Sequence, residues 1–164
     1  MGEERIEIPK IEGYCCFACG TANPIGLNLN FYRSGESVCS DITLGKYHEG
    51  WDNMAHGGII STLLDEVMSW TIIYFKRVFV VTRKMDVKYI KPVLIRVPLT
   101  VKGRLDKQGR YPYIGVRAEL VDETGQILTK AKGEFVELPV EKLTVVPEAL
   151  KKEMALLFES FPPL

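Results

Sequence analysis

An α+β fold, in which an antiparallel sheet of about six strands wraps one long central helix, follows from three observations on this 164-residue sequence. From Gly57 to Phe75 nearly every residue is apolar, so a helix there is apolar on most sides and is expected to be buried. Short segments on both sides of it alternate apolar and polar residues with the period of half-buried strands. Turn residues separate those segments closely enough to make the strands antiparallel neighbours.

The elements follow in order. Alternation at Leu27, Leu29 and Phe31, then at Val38, Ser40, Ile42 and Leu44, flanks Ser34-Gly35 and predicts a hairpin. A loop over 45–55 leads into the long helix, from about His56 to Phe75 or Lys76, where Lys76 and Arg77 suit the negative end of the macrodipole. Four strands come next. The first runs from Val81 to Ile90, with Met85, Val87 and Tyr89 alternating against Lys84, Asp86 and Lys88. The second carries Val97, Leu99 and Val101, and Pro98 points to an edge or a bulge. The third, Tyr111 to Val121, sets Ile114, Val116, Ala118 and Leu120 on one face, and the fourth, Gln126 to Val136, sets Ala131, Gly133 and Phe135 on the same side. Turns at Lys107-Gln108-Gly109 and Glu123-Thr124-Gly125 join them. Pro147, Leu150, Met154, Leu157 and Phe158 then mark a short amphipathic helix. The expected division is one domain over 1–138, with a cysteine-containing loop at 13–26, and a helical extension over 139–164.

Bulk properties narrow the function. The size suits one substantial core, and 46% hydrophobic with 26% charged residues is the composition of a soluble globular protein. Lys plus Arg number 21 and Asp plus Glu number 21, so no global field draws the chain to nucleic acid or to an anionic membrane. The first ten residues carry Glu3, Glu4, Arg5 and Glu7 without an apolar stretch, which argues against a secretory signal and for a cytoplasmic location. Residues 57–75 have the length of a membrane span, but Ser61, Thr62, Asp65, Glu66 and Ser69 interrupt them.

Of the four cysteines, Cys15, Cys16, Cys19 and Cys39, two form a C-x-x-C. A structural zinc site usually draws four ligands from two such pairs, and the second pair is missing; Cys39 and His48 would complete the set only by accident of folding. Gly20, Asn23, Pro24 and Gly26 make the segment a turn-rich loop rather than the strand-to-helix junction of a redox motif. The expectation is three reduced cysteines in a tight loop, with no metal.

The run His56-Gly57-Gly58 to Asp65-Glu66 carries the chemistry. An unpaired carboxylate buried in an apolar helix costs several kcal/mol, on the order of a whole domain's stability margin. Gly57 and Gly58 each cost about 1 kcal/mol of helix propensity. They clear side chains from the place where unpaired N–H groups and the positive dipole end converge, which is how an oxyanion hole is made, although close packing against a strand would also account for them. Asp65 lies on nearly the same face as Gly58 but about 10 Å further along the axis, so one carbonyl cannot touch both. Antiparallel pairing of two copies would set Asp65 of one chain against the Gly57-Gly58 end of the other. Asp65 is then a general base for water or a nucleophile, and both remain open. Glu66 points about 100° away round the helix and is expected to pair with a lysine or a backbone group.

These residues match a known family. His56-Gly57-Gly58, with the acid nine positions after the histidine, resembles the hotdog-fold thioesterases of the PaaI type, the 4-hydroxybenzoyl-CoA thioesterase superfamily. The segments Cys16-Phe17-Ala18-Cys19-Gly20, Asn23-Pro24-Ile25-Gly26-Leu27 and Val87-Lys88-Tyr89-Ile90-Lys91-Pro92 look like flanking signatures of one branch, and the resemblance spans about residues 13–137. It implies hydrolysis of acyl-CoA thioesters by a homodimer or a dimer of dimers, without a cofactor beyond the coenzyme A of the substrate. Position by position, it implies that Asp65 is the catalytic carboxylate, Gly57 the oxyanion donor, His56 the residue orienting that turn, and Thr82 the hydroxyl that helps position water. Relatives place an asparagine six residues before the histidine, and here Gly50 stands instead. Asn53, His48 or Glu49 are the candidate replacements. Gly58, Asn53, Arg83 and Lys84 complete the expected substrate contacts, with Arg83, Lys84, Lys88 and Lys91 as cations for the coenzyme A phosphates and Trp51 and Met54 lining the acyl pocket. The competing readings are a non-catalytic acyl-CoA or fatty-acyl binding protein, which Gly50 favours, and a zinc- or redox-active protein built on Cys15, Cys16 and Cys19.

Overall fold

A computed structural model describes residues 4–107 and 109–163 of the chain. The apolar run is helix α1 (Gly57–Lys76), capped by His56 and closed by Arg77, which adopts the left-handed conformation at φ 56° and donates its N–H to the Ile73 carbonyl. Leu63, Leu64, Val67, Met68, Ile72 and Tyr74 are fully buried. Gly58, Ser61, Thr62, Asp65 and Ser69 are not. They recur three and four residues apart, so they form one stripe along the helix that the sheet leaves open. The helix is therefore buried on one side and accessible on the other, and Asp65 sits on the accessible stripe, which removes much of its burial cost. Long and apolar enough to cross a membrane, α1 is instead the core helix of this fold, half of it buried.

The remaining strands are β1 (Arg5–Ile8), β2 (Phe31–Ser34), β3 (Ser37–Thr43), β4 (Glu49–Trp51), β5 (Met54–Ala55), β6 (Phe79–Tyr89), β7 (Pro98–Leu105), β8 (Tyr113–Asp122) and β9 (Ile127–Leu138). Seven of them make one antiparallel sheet in the order β1-β2-β3-β7-β8-β9-β6, and β4 and β5 form a separate ribbon. The sheet thus has one strand more than expected. The addition is β1, whose four residues pair with β2. The hairpin at Ser34-Gly35 is present, with Gly35 at φ 56° and Ser34 opposite Ser37. Leu27 and Leu29 lie outside the ladder because their N–H groups bond the Phe17 and Ala18 carbonyls of the cysteine loop, at 2.8 and 2.9 Å. Pro98 marks neither an edge nor a bulge: β7 lies between β3 and β8, and Pro98 is its first residue, where a missing N–H is tolerated. The second expected turn lies between β8 and β9, where Asp122 accepts from the Thr124 and Gln126 N–H groups; the first includes Gln108, outside the described residues.

Inward-facing residues match the alternation. Ile114, Val116, Ala118, Leu120, Ala131 and Phe135 are all buried. Gly103 on β7 lets α1 approach, since a Cβ there would stand 2.3 Å from Thr71 Oγ1 and 2.9 Å from the Val67 carbonyl oxygen. Helix α2 (Glu148–Ser160) covers the C-terminal end of α1, with the Phe161 ring 5.2 Å from that of Tyr74 and Phe158 5.5 Å from Phe79.

Candidate active site

The two glycines of His-Gly-Gly have different reasons. His56 accepts the Gly58 N–H on Nδ1 at 2.9 Å, and a Cβ on Gly58 would come within 3.1 Å of that nitrogen. Gly58 therefore lets the imidazole fold over the helix end, and its N–H is already used. Gly57 is the first helical residue, so its N–H has no acceptor within the helix. Its carbonyl accepts from the Tyr89 hydroxyl at 2.9 Å, and the same hydroxyl lies 2.6 Å from Ser61 Oγ. With the Tyr89 proton spent on Gly57, Ser61 is the donor of that second bond. Tyr89 thus pins the helix start to the end of β6. The sequence presents it only as one more residue in an alternating strand, and the sole hint of more is its place in the Tyr89-Ile90-Lys91-Pro92 signature. A cleft of about 610 Å³ opens here, lined by Trp51, Met54, His56, Gly57, Tyr89 and Lys91 among others.

Asp65 forms the second cluster. Its Oδ1 accepts from Thr82 Oγ1 at 2.7 Å. Strict alternation would turn Thr82 outward with Lys84 and Asp86, but β6 carries a bulge at Arg83: Thr82 pairs with Phe135 and Lys84 with Glu134, leaving Arg83 as the extra residue. The insertion reverses the parity and aims Thr82 at α1. Asp65 does not line the 610 Å³ cleft. It lies eight positions after Gly57 on the helix, about 12 Å along the axis. One chain holds the two clusters apart.

The other expected contacts are distributed as follows. Arg83 is ion-paired with Glu134 and lies over the Tyr113 ring at 4.9 Å. Lys84 is exposed on the same strand, and of the basic row Lys91 alone lines the cleft. Asn53 adopts a left-handed conformation at φ 60° in the β4–β5 turn, with its amide 3.4 Å from Asp52 and outside the cleft. His48 accepts the Gly45 N–H and Glu49 accepts the Asn53 N–H. Gly50 lines the cleft, and a Cβ there would stand 3.1 Å from His56 Cα.

Among the described residues Glu66 meets an indole and a thiol instead of the expected lysine or backbone group. Its Oε1 accepts from Trp70 Nε1 at 3.1 Å and lies 3.9 Å from Cys16 Sγ. Burial, reinforced by the neighbouring Cys16, pushes its carboxyl up to about 7. Hydrogen bonds from the Cys19 thiol and from loop N–H groups bring Cys16 down to about 5, and Cys19 is correspondingly raised. Among the described residues no disulfide forms.

With this geometry in view, the comparison with known families is decisive for the fold. Residues 52–129 match the thioesterase superfamily. The chain is similar to a solved thioesterase superfamily protein at 23% identity and a TM-score of 0.66, covering 70% of this chain and 56% of that one, so it spans little more than half of that relative's length. It is similar to the Escherichia coli PaaI protein of the phenylacetic acid degradation operon at 14% identity and a TM-score of 0.62, over 69% of this chain and 81% of the other. A hypothetical thioesterase from Streptococcus pneumoniae, solved with coenzyme A, aligns at 22% identity and a TM-score of 0.58, over 63% and 79%. No curated protein matches the sequence. The fold is the hotdog of the thioesterases, as the His-Gly-Gly run implied.

Proposed function

We propose that this protein hydrolyses acyl-CoA thioesters, with Asp65 activating the water that attacks the thioester carbonyl. The observation that carries this is the Thr82–Asp65 hydrogen bond of 2.7 Å on the open stripe of α1. A hydroxyl donated to Oδ1 orients the carboxylate and leaves Oδ2 to take a proton from water. The Gly57 N–H, at the positive end of the helix, would hold the carbonyl oxygen as it becomes negative. The hydroxide so formed adds to the carbonyl carbon; collapse of the tetrahedral adduct breaks the C–S bond, and the departing coenzyme A thiolate takes the proton that Asp65 received from water, leaving the free acid.

The two clusters meet only between chains in this reading. Strand β6 ends the sheet, spans 11 residues and, among the described residues, pairs with β9 alone, and such a long free edge is a ready template for a second copy. Pairing about a twofold axis would bring Asp65 and Thr82 of one chain toward the Gly57 end of its partner. The S. pneumoniae relative solved with coenzyme A supports the same thiol half here. Lys91 in the cleft is the cation placed to meet its phosphates, and Trp51 and Met54 offer apolar surface to the acyl chain.

Thiol release from a panel of acyl-CoA esters, measured beside Asp65→Asn, tests the proposal. We expect turnover by the wild type and a fall of about 100-fold or more in the variant. Equal rates on every ester would remove Asp65 from the chemistry. The reading as an acyl-CoA binding protein rests on Gly50, a position that offers no side-chain amide to the cleft, and it predicts saturable binding with no thiol released.

A further inference from the structure

Cys16, Cys19 and Glu66 take no part in the chemistry proposed above, yet the fold brings them together from places 50 residues apart. The loop is tightly held. Gly20 donates to the Cys16 carbonyl at 2.9 Å, Cys19 donates its N–H to Cys16 Sγ at 3.5 Å, and Leu27 and Leu29 tie Phe17 and Ala18 to the chain that follows. A Cβ on Gly20 would stand 2.4 to 2.6 Å from backbone atoms of Tyr14 and Cys16, so only glycine closes this turn. Both sulfurs then face α1 at Glu66, and the three candidate ligand atoms all lie within 4.8 Å of one another. Trp70 holds the carboxylate in place through its indole N–H, as a supporting residue does for a metal ligand.

Three groups that are anionic when deprotonated converge here. The ammonium of Lys10, which feels the charge of all three, is directed at the Cys19 and Leu29 carbonyls and the Asn28 amide oxygen, at 2.7 to 3.0 Å. We propose that Cys16, Cys19 and Glu66 form a binding site for a zinc-class divalent cation that fastens the N-terminal loop to α1. Two sulfurs favour zinc over magnesium or calcium. Bonds of about 2.3 Å to sulfur and about 2.1 Å to oxygen make tetrahedral edges of about 3.8 and 3.6 Å, and Cys16 Sγ already stands 3.9 Å from Glu66 Oε1. Binding releases the thiol protons, and the carboxyl proton where it is held, to solvent. Three protein ligands leave the fourth position to water. The C-x-x-C alone lacked a second pair; the fold supplies a carboxylate in its place.

Zinc content of the full chain, purified reduced and without a metal-affinity tag, and cobalt titration of the stripped protein test the site. We expect about one metal ion per chain and a thiolate-to-cobalt charge-transfer band. Cys16→Ser and Cys19→Ser should each weaken the band, and Glu66→Gln should lower affinity at least about tenfold. Cys15→Ser, outside the set, should change nothing. Wild-type protein that takes up neither zinc nor cobalt overturns the proposal, as does a Cys16–Cys19 disulfide found in place of metal. Unchanged affinity in Glu66→Gln overturns the ligand set. Circular dichroism checks each variant, and if one fails to fold the wild-type metal content and cobalt spectrum still decide. None of these readouts depends on thioester turnover.

Discussion

Thr82 donates its hydroxyl to Asp65 across 2.7 Å, and it can do so only because an extra residue at Arg83 reverses the alternation of β6. Thr82 is therefore a positioning residue for the carboxylate. A hydrogen bond to a charged group contributes about 1.5–3 kcal/mol, and the accessibility of Asp65 favours the low end of that range. Thr82→Ala should lower kcat about tenfold with KM little changed, and Thr82→Ser should restore it. Steady-state kinetics on the best ester of the panel separates this from a structural role, which Thr82→Ser would have no reason to rescue in kcat alone.

Tyr89 should matter both to stability and to turnover. Tyr89→Phe removes the donor to the Gly57 carbonyl and strands the Ser61 hydroxyl, at a cost of about 1 kcal/mol for partly exposed groups. Ser61→Ala leaves the bond to Gly57 intact and should cost less. Urea denaturation of the two variants gives the order. The loss of kcat should follow Tyr89→Phe and not Ser61→Ala, because only the first frees the turn that presents the Gly57 N–H.

What was legible in the sequence was periodic, and what was not depended on an interruption or on distance. The apolar run, the hairpin at Ser34-Gly35 and the inward faces of β8 and β9 follow from periods that the chain keeps. Strand β1 is four residues long and carries Arg5 and Glu7, so it resembles a charged tail until β2 is there to pair with it. The bulge at Arg83 has no mark of its own, since one inserted residue leaves Met85, Val87 and Tyr89 alternating as before. Glu66 and Trp70 stand four apart on one helix, a spacing that could have suggested their bond, whereas the approach of Cys16 to Glu66 closes a 50-residue separation.

Gly103 sets how closely β7 and α1 can pack. Gly103→Ala would drive a methyl group into Thr71 Oγ1 and the Val67 carbonyl, which already share a 2.6 Å hydrogen bond. Overpacking of this kind costs about 1–3 kcal/mol, and more when the obstacle is backbone. Adding Thr71→Ala relieves the first clash and not the second, so the double variant should recover part of the loss. Full recovery in thermal denaturation would show that the helix backbone can move away.

Asp41 joins four strands, and its ionisation should control how firmly β1 is held. It accepts from Thr100 on β7 and Arg5 on β1, each at 2.8 Å, and from Tyr32 on β2 at 3.0 Å. Burial alone would raise its pKa, but the donors from Thr100, Arg5 and Tyr32 outweigh it and hold the carboxyl below its ordinary value of 3.8. A carboxyl that binds its proton less readily folded than unfolded adds stability above its unfolded pKa and loses that stability as pH falls through its folded one. Asp41→Asn should therefore be less stable than wild type at neutral pH, with the gap closing as pH drops below about 4. Denaturation midpoints of the two proteins across that range check it, and a gap that stays constant in acid would mean that the network contributes through shape rather than charge.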